Sequence, residues 1–266
     1  MENKNLLVSY MICTWNRRET LQWHLRRLSM QTWDKPFEVI VCVDGSTDGT
    51  QKMLRFWDAN EQFQRAKQRG YNSKFFLKWY DTGNVDRATP AVARNCGIRH
   101  ASGELLIMVD DDCLPNNNLI AAYASKFDPR EIQVGYRSSQ RAYLDKELPV
   151  PIEEGKMQSY FQEWESGRFR KGHFTTGNAA MSIEAARIKA KDGSVGFDER
   201  FEKYGWEDVE LADRLDKLGY KFVWNPDAVI WHMNPSATNQ RPREQKLKEK
   251  EEGRALYDQI RNEPMP

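Results

Sequence analysis

Apolar residues in this chain gather into short runs of strand length, separated by polar turns and by stretches in which leucines recur at helical spacing. Residues 6–13, broken only by Ser9, and residues 37–43, 75–80 and 104–109 form four such runs. Leu21, Leu25 and Leu28 predict a first helix reaching about Gln31, a second begins near Gln51, and a third covers residues 90–100. Runs apolar on both faces suit strands of a parallel sheet covered by helices. Their alternation with helices predicts an α/β fold: a Rossmann-like, doubly wound, mostly parallel sheet flanked by helices, its loops gathered at the carboxyl edge.

Beyond Pro115 the rhythm changes. A helix is expected over residues 117–127, a short strand over 132–136, and a charged loop over 145–171 that carries Pro149, Pro151, Gly155 and Gly167. Strand character returns at 174–182, followed by a short helix. The next helix opens at Gly205-Trp206-Glu207-Asp208 with Val209, Leu211, Leu215 and Leu218 on its apolar side and Gly219 at its end. Residues 220–224 and 228–231 read as two short strands, the second ending at His232. From Arg241 a charged terminal helix or pair of helices is expected, weakly apolar through Leu247, Ala255, Leu256 and Ile260, and so either solvated or packed against a second copy in a homo-oligomer. The organisation expected is one domain in two halves, residues 1–115 and 116–235, with a helical tail at 236–266.

Composition narrows the function classes. The 266 residues can bury a large core, and 40 basic against 39 acidic side chains leave a formal charge of +1, which supplies no global field for nucleic acid or an anionic membrane. A mean hydropathy of -0.80 and the lack of any long apolar run predict no transmembrane segment. The amino terminus shows no basic start or small-residue cleavage site of a signal peptide. Cys13, Cys42, Cys96 and Cys113 have no close pairs and read as reduced thiols, so a cytoplasmic location is expected, with peripheral membrane association left open.

Candidate chemistry centres on Leu105 to Pro115, where an apolar strand delivers Asp110, Asp111 and Asp112 to one point. Crowded carboxylates repel unless a cation sits among them, and the carboxyl end of a strand is where open α/β sheets bind ligands. If strand geometry persists, Asp110 and Asp112 share a side. A helix cap would need only one or two of these acids. Thr14 to Arg17, the turn from Asp44 to Thr50, Arg94, Glu207, Asp208 and His232 converge on the same edge. Their chemistry complements a metal-bound diphosphate: carboxylate oxygens suit Mg²⁺ or Mn²⁺, and a His tilts the choice toward Mn²⁺. Taken singly, Glu207 and Asp208 also suit a helix N-terminus, and His232 suits a structural role.

Five segments in order carry a resemblance: Thr14-Trp15-Asn16-Arg17, Val43 to Thr50, Ala93-Arg94-Asn95-Cys96-Gly97-Ile98, Asp110-Asp111-Asp112, and Gly205-Trp206-Glu207-Asp208-Val209-Glu210-Leu211. Together they resemble family 2 inverting glycosyltransferases of the GT-A fold, and the later half resembles the chondroitin-polymerase and galactosyltransferase type. The resemblance spans residues 6–235. It implies a nucleoside-diphosphate sugar donor, commonly a UDP-sugar, and a glycan or other hydroxyl acceptor. Thr14, Asn16 and Arg17 match the loop bordering the nucleotide, Asp44 the base contact, and Arg94 the Arg near base and diphosphate. Asp110 and Asp112 match the acids of the DxD motif, on ribose and metal. Asp111 is counted with the nucleotide-sugar residues and is the one of the three expected to be structural. Asp208 matches the general base, Glu207 its acceptor-binding neighbour, and His232 the late metal ligand. Trp206 suits stacking on an acceptor sugar or packing beneath the helix start. Many family members carry two acids before the Gly-Ser of the base-binding turn; here only Asp44 stands there.

Two rival readings remain. A nucleotidyltransferase making nucleotide sugars would need a Gly-rich phosphate loop after the first strand, and Thr14 to Arg18 contains no Gly. A catalytically silent nucleotide- or cation-binding module has no need of Asp208 together with Asp112.

Overall fold

A computed structural model describes residues 6–58, 75–84, 86, 88–142, 171–203, 205–233 and 242–264. The expected loop at 145–171 falls outside these residues except for Lys171. The first half alternates strand and helix as the apolar runs predict: β1 (Val8–Thr14), α1 (Arg18–Leu28), β2 (Phe37–Val43), α2 (Thr50–Asp58), β3 (Phe75–Asp81), α3 (Pro90–His100) and β4 (Leu105–Val109). After a turn come β5 (Cys113–Pro115), α4 (Leu119–Ser125) and β6 (Glu131–Ala142). A 3-10 turn at Lys171–His173 leads to β7 (Asn178–Ser182), α5 (Ile183–Ala186), α6 (Glu207–Lys217), β8 (Lys221–Met233) and α7 (Arg243–Ile260).

Among the described residues, eight strands join one sheet in the order β3-β2-β1-β4-β7-β6-β8-β5. Strands β1 to β4 are mutually parallel. Strand β7 is antiparallel to β4 and β6, β8 runs parallel to β6, and β5 runs antiparallel to β8. The sheet is therefore parallel across β1 to β4 and mixed beyond them. The pleat divides the apolar residues between two cores. Tyr10 and Ile12 of β1 face one, with Leu21 and Leu25 of α1. Met11 faces the other, with Ile98 of α3 and Leu211 and Leu215 of α6.

Two expected elements differ from what forms. The segments at 220–224 and 228–231 are one strand, β8, whose register against β6 skips from Asn225 opposite Gly135 to Val229 opposite Tyr136. Pro226 lies in that skip; lacking an amide N–H, it cannot donate to a ladder, so the strand bulges there instead of ending. The tail helix α7 forms, but its apolar face turns inward. Tyr257 and Ile260 pack with Phe201 in a small third core bordered by Trp206 and Leu256. Leu247 stays exposed.

Candidate active site

The loops after β1 and β2 are stitched together before the Asp cluster is reached. Asn16 sits in the left-handed region at φ 52°, which Asn tolerates better than most residues. Its side-chain oxygen accepts from the Thr47 amide at 2.7 Å, and its own amide donates to Ser46 Oγ at 2.9 Å. This ties the loop after β1 to the turn after β2. Asp44 is buried, and it accepts from Thr82 Oγ1 at 2.7 Å, from Thr89 Oγ1 at 2.8 Å, and from the Thr89 amide. Burial pushes its carboxyl above the usual carboxylate range against these bonds. Asp44 thereby holds β2 to the segment that enters α3. Asp81, which sequence reading passed over, accepts from the amides of Gly45 at 3.1 Å and Gly83 at 3.0 Å and from Gln51 Nε2 at 2.9 Å. The signal for it was present: it ends a parallel strand in register with Val43, at the same sheet edge as Asp44.

Strand geometry does not persist through the three aspartates. β4 stops at Val109, and the Cys113 amide bonds back to the Asp110 carbonyl at 3.0 Å, making a tight turn into β5. The turn nonetheless gathers Asp110 and Asp112. Single ligand atoms of Asp110, Asp112 and Cys113 all lie within 4.8 Å of one another. Cys113, not singled out from sequence, keeps its thiol 3.6 Å from Asp112 Oδ1. Two converging carboxylates are the hard donors a divalent Mg²⁺ or Mn²⁺ takes, so the residues fit such an ion. His232 lies directly opposite Cys113 in the β5–β8 ladder, which brings its backbone to this place in the sheet.

Asp111 has a different environment. It accepts from Thr14 Oγ1 at 2.7 Å and from Arg17 Nη1 at 2.7 Å, and the same guanidinium nitrogen reaches Asp112 Oδ2 at 2.9 Å. Burial pushes Asp111 up to about 6, against the pull of Arg17. Arg17 in turn is held firmly charged, first by Asp111 and also by Asp112. Thr14 and Arg17 therefore order the acidic turn through its buried middle residue.

The second half delivers Glu207 and Asp208 at the first turn of α6. Glu207 is buried and accepts from Arg94 Nη1 at 2.8 Å, while its Oε2, also buried, has no hydrogen-bond partner among the described residues. Arg94 Nη2 lies 3.7 Å from Asp110 Oδ1, so one guanidinium connects the Asp cluster to the α6 acids. Burial alone would lower its proton affinity; Asp208, Glu207 and Asp110 together raise it, and the charge is retained. Asp208 is half-buried. Thr176 Oγ1 donates to its Oδ1 at 3.0 Å, and the Thr176 amide approaches Oδ2 at 3.4 Å. Burial, with Glu207 and Asp110 adding repulsion, pushes Asp208 up to about 7 despite Arg94 and Thr176. A carboxylate with that proton affinity is suited to taking a proton near neutrality.

Trp206 caps α6 with φ 76°, and its ring packs on Tyr257 of α7 at a centroid distance of 5.3 Å, the two planes tilted by 32°. This is the packing alternative of the two considered for it. Thr176 was missed from sequence because its partner lies 32 residues away and nothing in Phe174 to Ser182 marks a hydroxyl that meets a carboxylate of α6.

The sequence pattern of the family described as "Glycosyltransferase like family 2" matches residues 5–254. Chondroitin synthase of Pasteurella multocida (strain Pm70) is 24% identical over 295 residues, covering 99% of this chain and 28% of the relative. Chondroitin synthase of Escherichia coli is 26% identical over 256 residues, covering 86% of this chain and 35% of the relative. The chain thus spans about a third of the length of these two curated relatives. In fold it is similar to the mannosyltransferase PcManGT from Pyrobaculum calidifontis in complex with GDP-Man and Mn²⁺, with TM-score 0.65, 21% identity, and coverage of 100% of this chain and 67% of that one. It is similar also to S. aureus TarS in complex with UDP-GlcNAc, with TM-score 0.61, 17% identity, and coverage of 98% and 68%. Among the described residues, no helix is long and apolar enough to cross a membrane. With 250 of its 266 residues matched, and with the ordered acids and the GT-A sheet in place, the chain belongs to glycosyltransferase-like family 2.

Proposed function

We propose that this chain is an inverting glycosyltransferase that moves a sugar from a nucleoside-diphosphate sugar, UDP-linked in our reading, to an acceptor hydroxyl. Asp208 carries the proposal: it is a half-buried carboxylate, oriented by Thr176, with its proton affinity raised to about 7, beside the arginine that reaches Asp110. In this reading the reaction is one in-line displacement. Asp208 takes the proton of the acceptor hydroxyl, the acceptor oxygen bonds to the anomeric carbon, and the bond from that carbon to the diphosphate breaks. No covalent sugar–enzyme intermediate is needed, and the configuration inverts. Glu207, beside the base, is the acceptor-binding neighbour in this reading, and Trp206 borders that side while its ring packs on Tyr257. Thr14, Asn16, Arg17, Asp44 and Asp111 shape the nucleotide side, and Asp110 faces the ribose. Asp112, with Asp110 beside it and His232 across the ladder, would hold Mn²⁺ or Mg²⁺. Such an ion neutralises charge on the departing diphosphate.

The division into a donor half at 1–115, an acceptor half at 116–235 and a tail at 236–266 follows from this reading. The four cysteines carry no disulfide, which suits the reducing cytoplasm. The test is Asp208→Asn against a panel of nucleotide sugars and hydroxyl acceptors. Donor binding should persist while transfer falls on the order of a hundredfold to ten-thousandfold. Transfer by the variant at the parent rate would sink the assignment.

A further inference from the structure

The tail helix touches the turn that presents the α6 acids. Gly205 and Trp206 both adopt left-handed backbone, at φ 100° and φ 76°. For Trp this is a costly conformation that persists only where surrounding structure imposes it. Helix α7 lies against that turn. A Cβ on Gly253 would stand 2.7 Å from the Gly205 carbonyl oxygen and 3.1 Å from Trp206 Cδ1, so only glycine permits the approach. Tyr257 packs on the Trp206 ring, its hydroxyl donates to Asp213 on α6 itself, and the Arg254 guanidinium stands 6.0 Å from the Trp206 centroid.

The carboxyl-terminal half of the helix and the residues just past it are pinned. Lys203 pairs with Glu252 at 2.5 Å, Lys191 Nζ donates to the Ile260 carbonyl at 2.5 Å, and Arg200 pairs with Glu263 at 3.0 Å. Ile260 is fully buried. Tyr257 and Ile260 lie beyond the residues matched by the family pattern, which end at 254.

We infer that α7 is a positioning element for the reaction: Gly253 and Tyr257 hold the Gly205–Trp206 turn left-handed and so set the direction in which Glu207 and Asp208 enter the site. Tyr257 acts through Trp206 and is a positioning residue. The inference rests on the assignment of Asp208 as base, and its test has one arm independent of that assignment.

Tyr257→Leu, Tyr257→Phe and Gly253→Ala are compared with the parent in the full chain. The readings are kcat, donor KM, the pH profile, and amide hydrogen exchange at residues 205–210. In the Leu and Ala variants kcat should fall on the order of tenfold to a hundredfold, as misplacement of a reacting group costs. Donor KM should stay within about twofold, since donor contacts are untouched. The acid limb of the profile should move, and exchange at 205–210 should quicken by about tenfold or more. Tyr257→Phe keeps the ring contact and should match the parent in all four readings. Parent kcat together with parent protection at 205–210 in Tyr257→Leu and Gly253→Ala would overturn the inference. If the parent chain itself transfers no sugar, the base assignment fails instead, and exchange alone decides: faster exchange in Leu and Ala with recovery in Phe supports the positioning role, and unchanged protection overturns it. Where Tyr257→Leu does not fold, Gly253→Ala decides by the same readings.

Discussion

Thr176 donates its hydroxyl to Asp208 Oδ1 at 3.0 Å, across the seam between the loop before β7 and the first turn of α6. The bond favours the ionised carboxylate, while burial and the neighbouring acids favour the protonated one. In the proposed role Asp208 must be ionised to act, so kcat/KM should rise with pH through about 7. Thr176→Val removes the hydroxyl and should move that acid limb to higher pH. A limb that stays in place in the pH–rate profile would show that Thr176 does not tune the base.

The same shift makes an opposite prediction for stability. A carboxyl whose proton affinity is higher in the folded chain than in the unfolded one contributes stability below its unfolded value of 3.8 and loses it as pH rises through about 7. Asp208→Asn cannot ionise and escapes that loss. Its Tm should exceed that of the parent at pH 8, and the difference should shrink toward pH 4, as thermal melts across that range would record.

Arg94 stands between acids on both sides. Its side chain is 12% exposed and that of Glu207 4%, so removing the cation leaves buried carboxylates uncompensated. Arg94→Met should cost about 3–5 kcal/mol in urea unfolding, the range for breaking one partner of a buried pair. It should also raise the Asp208 acid limb, because Arg94 opposes the upward shift there.

Arg214 provides a contrast far from the chemistry. It bonds Glu210 through Nε at 2.8 Å and the Gly196 carbonyl through Nη2 at 2.6 Å, with 1% of its side chain exposed. Arg214→Met should destabilise by about 3–5 kcal/mol, by the same reasoning. At a temperature where the variant stays folded, the pH profile should keep its parent midpoint. A displaced midpoint would mean that α6 transmits strain to its first turn.

Ion binding is tested by thermal shift. A ligand at a hundred times its Kd adds about 2.7 kcal/mol to the folded state. Mn²⁺ with a nucleotide sugar should stabilise the parent on that scale, and Asp112→Ala should lose the metal-dependent part. Equal Mn²⁺ shifts in both proteins would remove Asp112 from the metal site.

Much of the fold is legible along the chain because its signals are local. The doubly apolar runs specify β1, β2 and β4 directly, the leucine spacing specifies α1, and Gly219 with φ 80° ends α6 as expected. Strand order in a parallel sheet also gathers Thr14, Asp44 and the Asp cluster at one edge without any knowledge of contacts. The β8 bulge was harder to read, since Pro226 reads locally as a break and only pairing with β6 carries the strand through it.

The site's working relationships were not local. Asp110 and Asp112 converge through a turn rather than a continued strand, so their proximity came from the β4–β5 connection and not from alternation. Arg94 meets Glu207 across 113 residues, Thr176 meets Asp208 across 32, and Tyr257 covers Trp206 from a helix whose composition suggested only a solvated or self-associating surface. Residue types and their order set which chemistry is available. Burial and register, properties of the assembled sheet and helices, decide which carboxylate is ionised near neutrality and which way it points, because both depend on distances that no local pattern encodes.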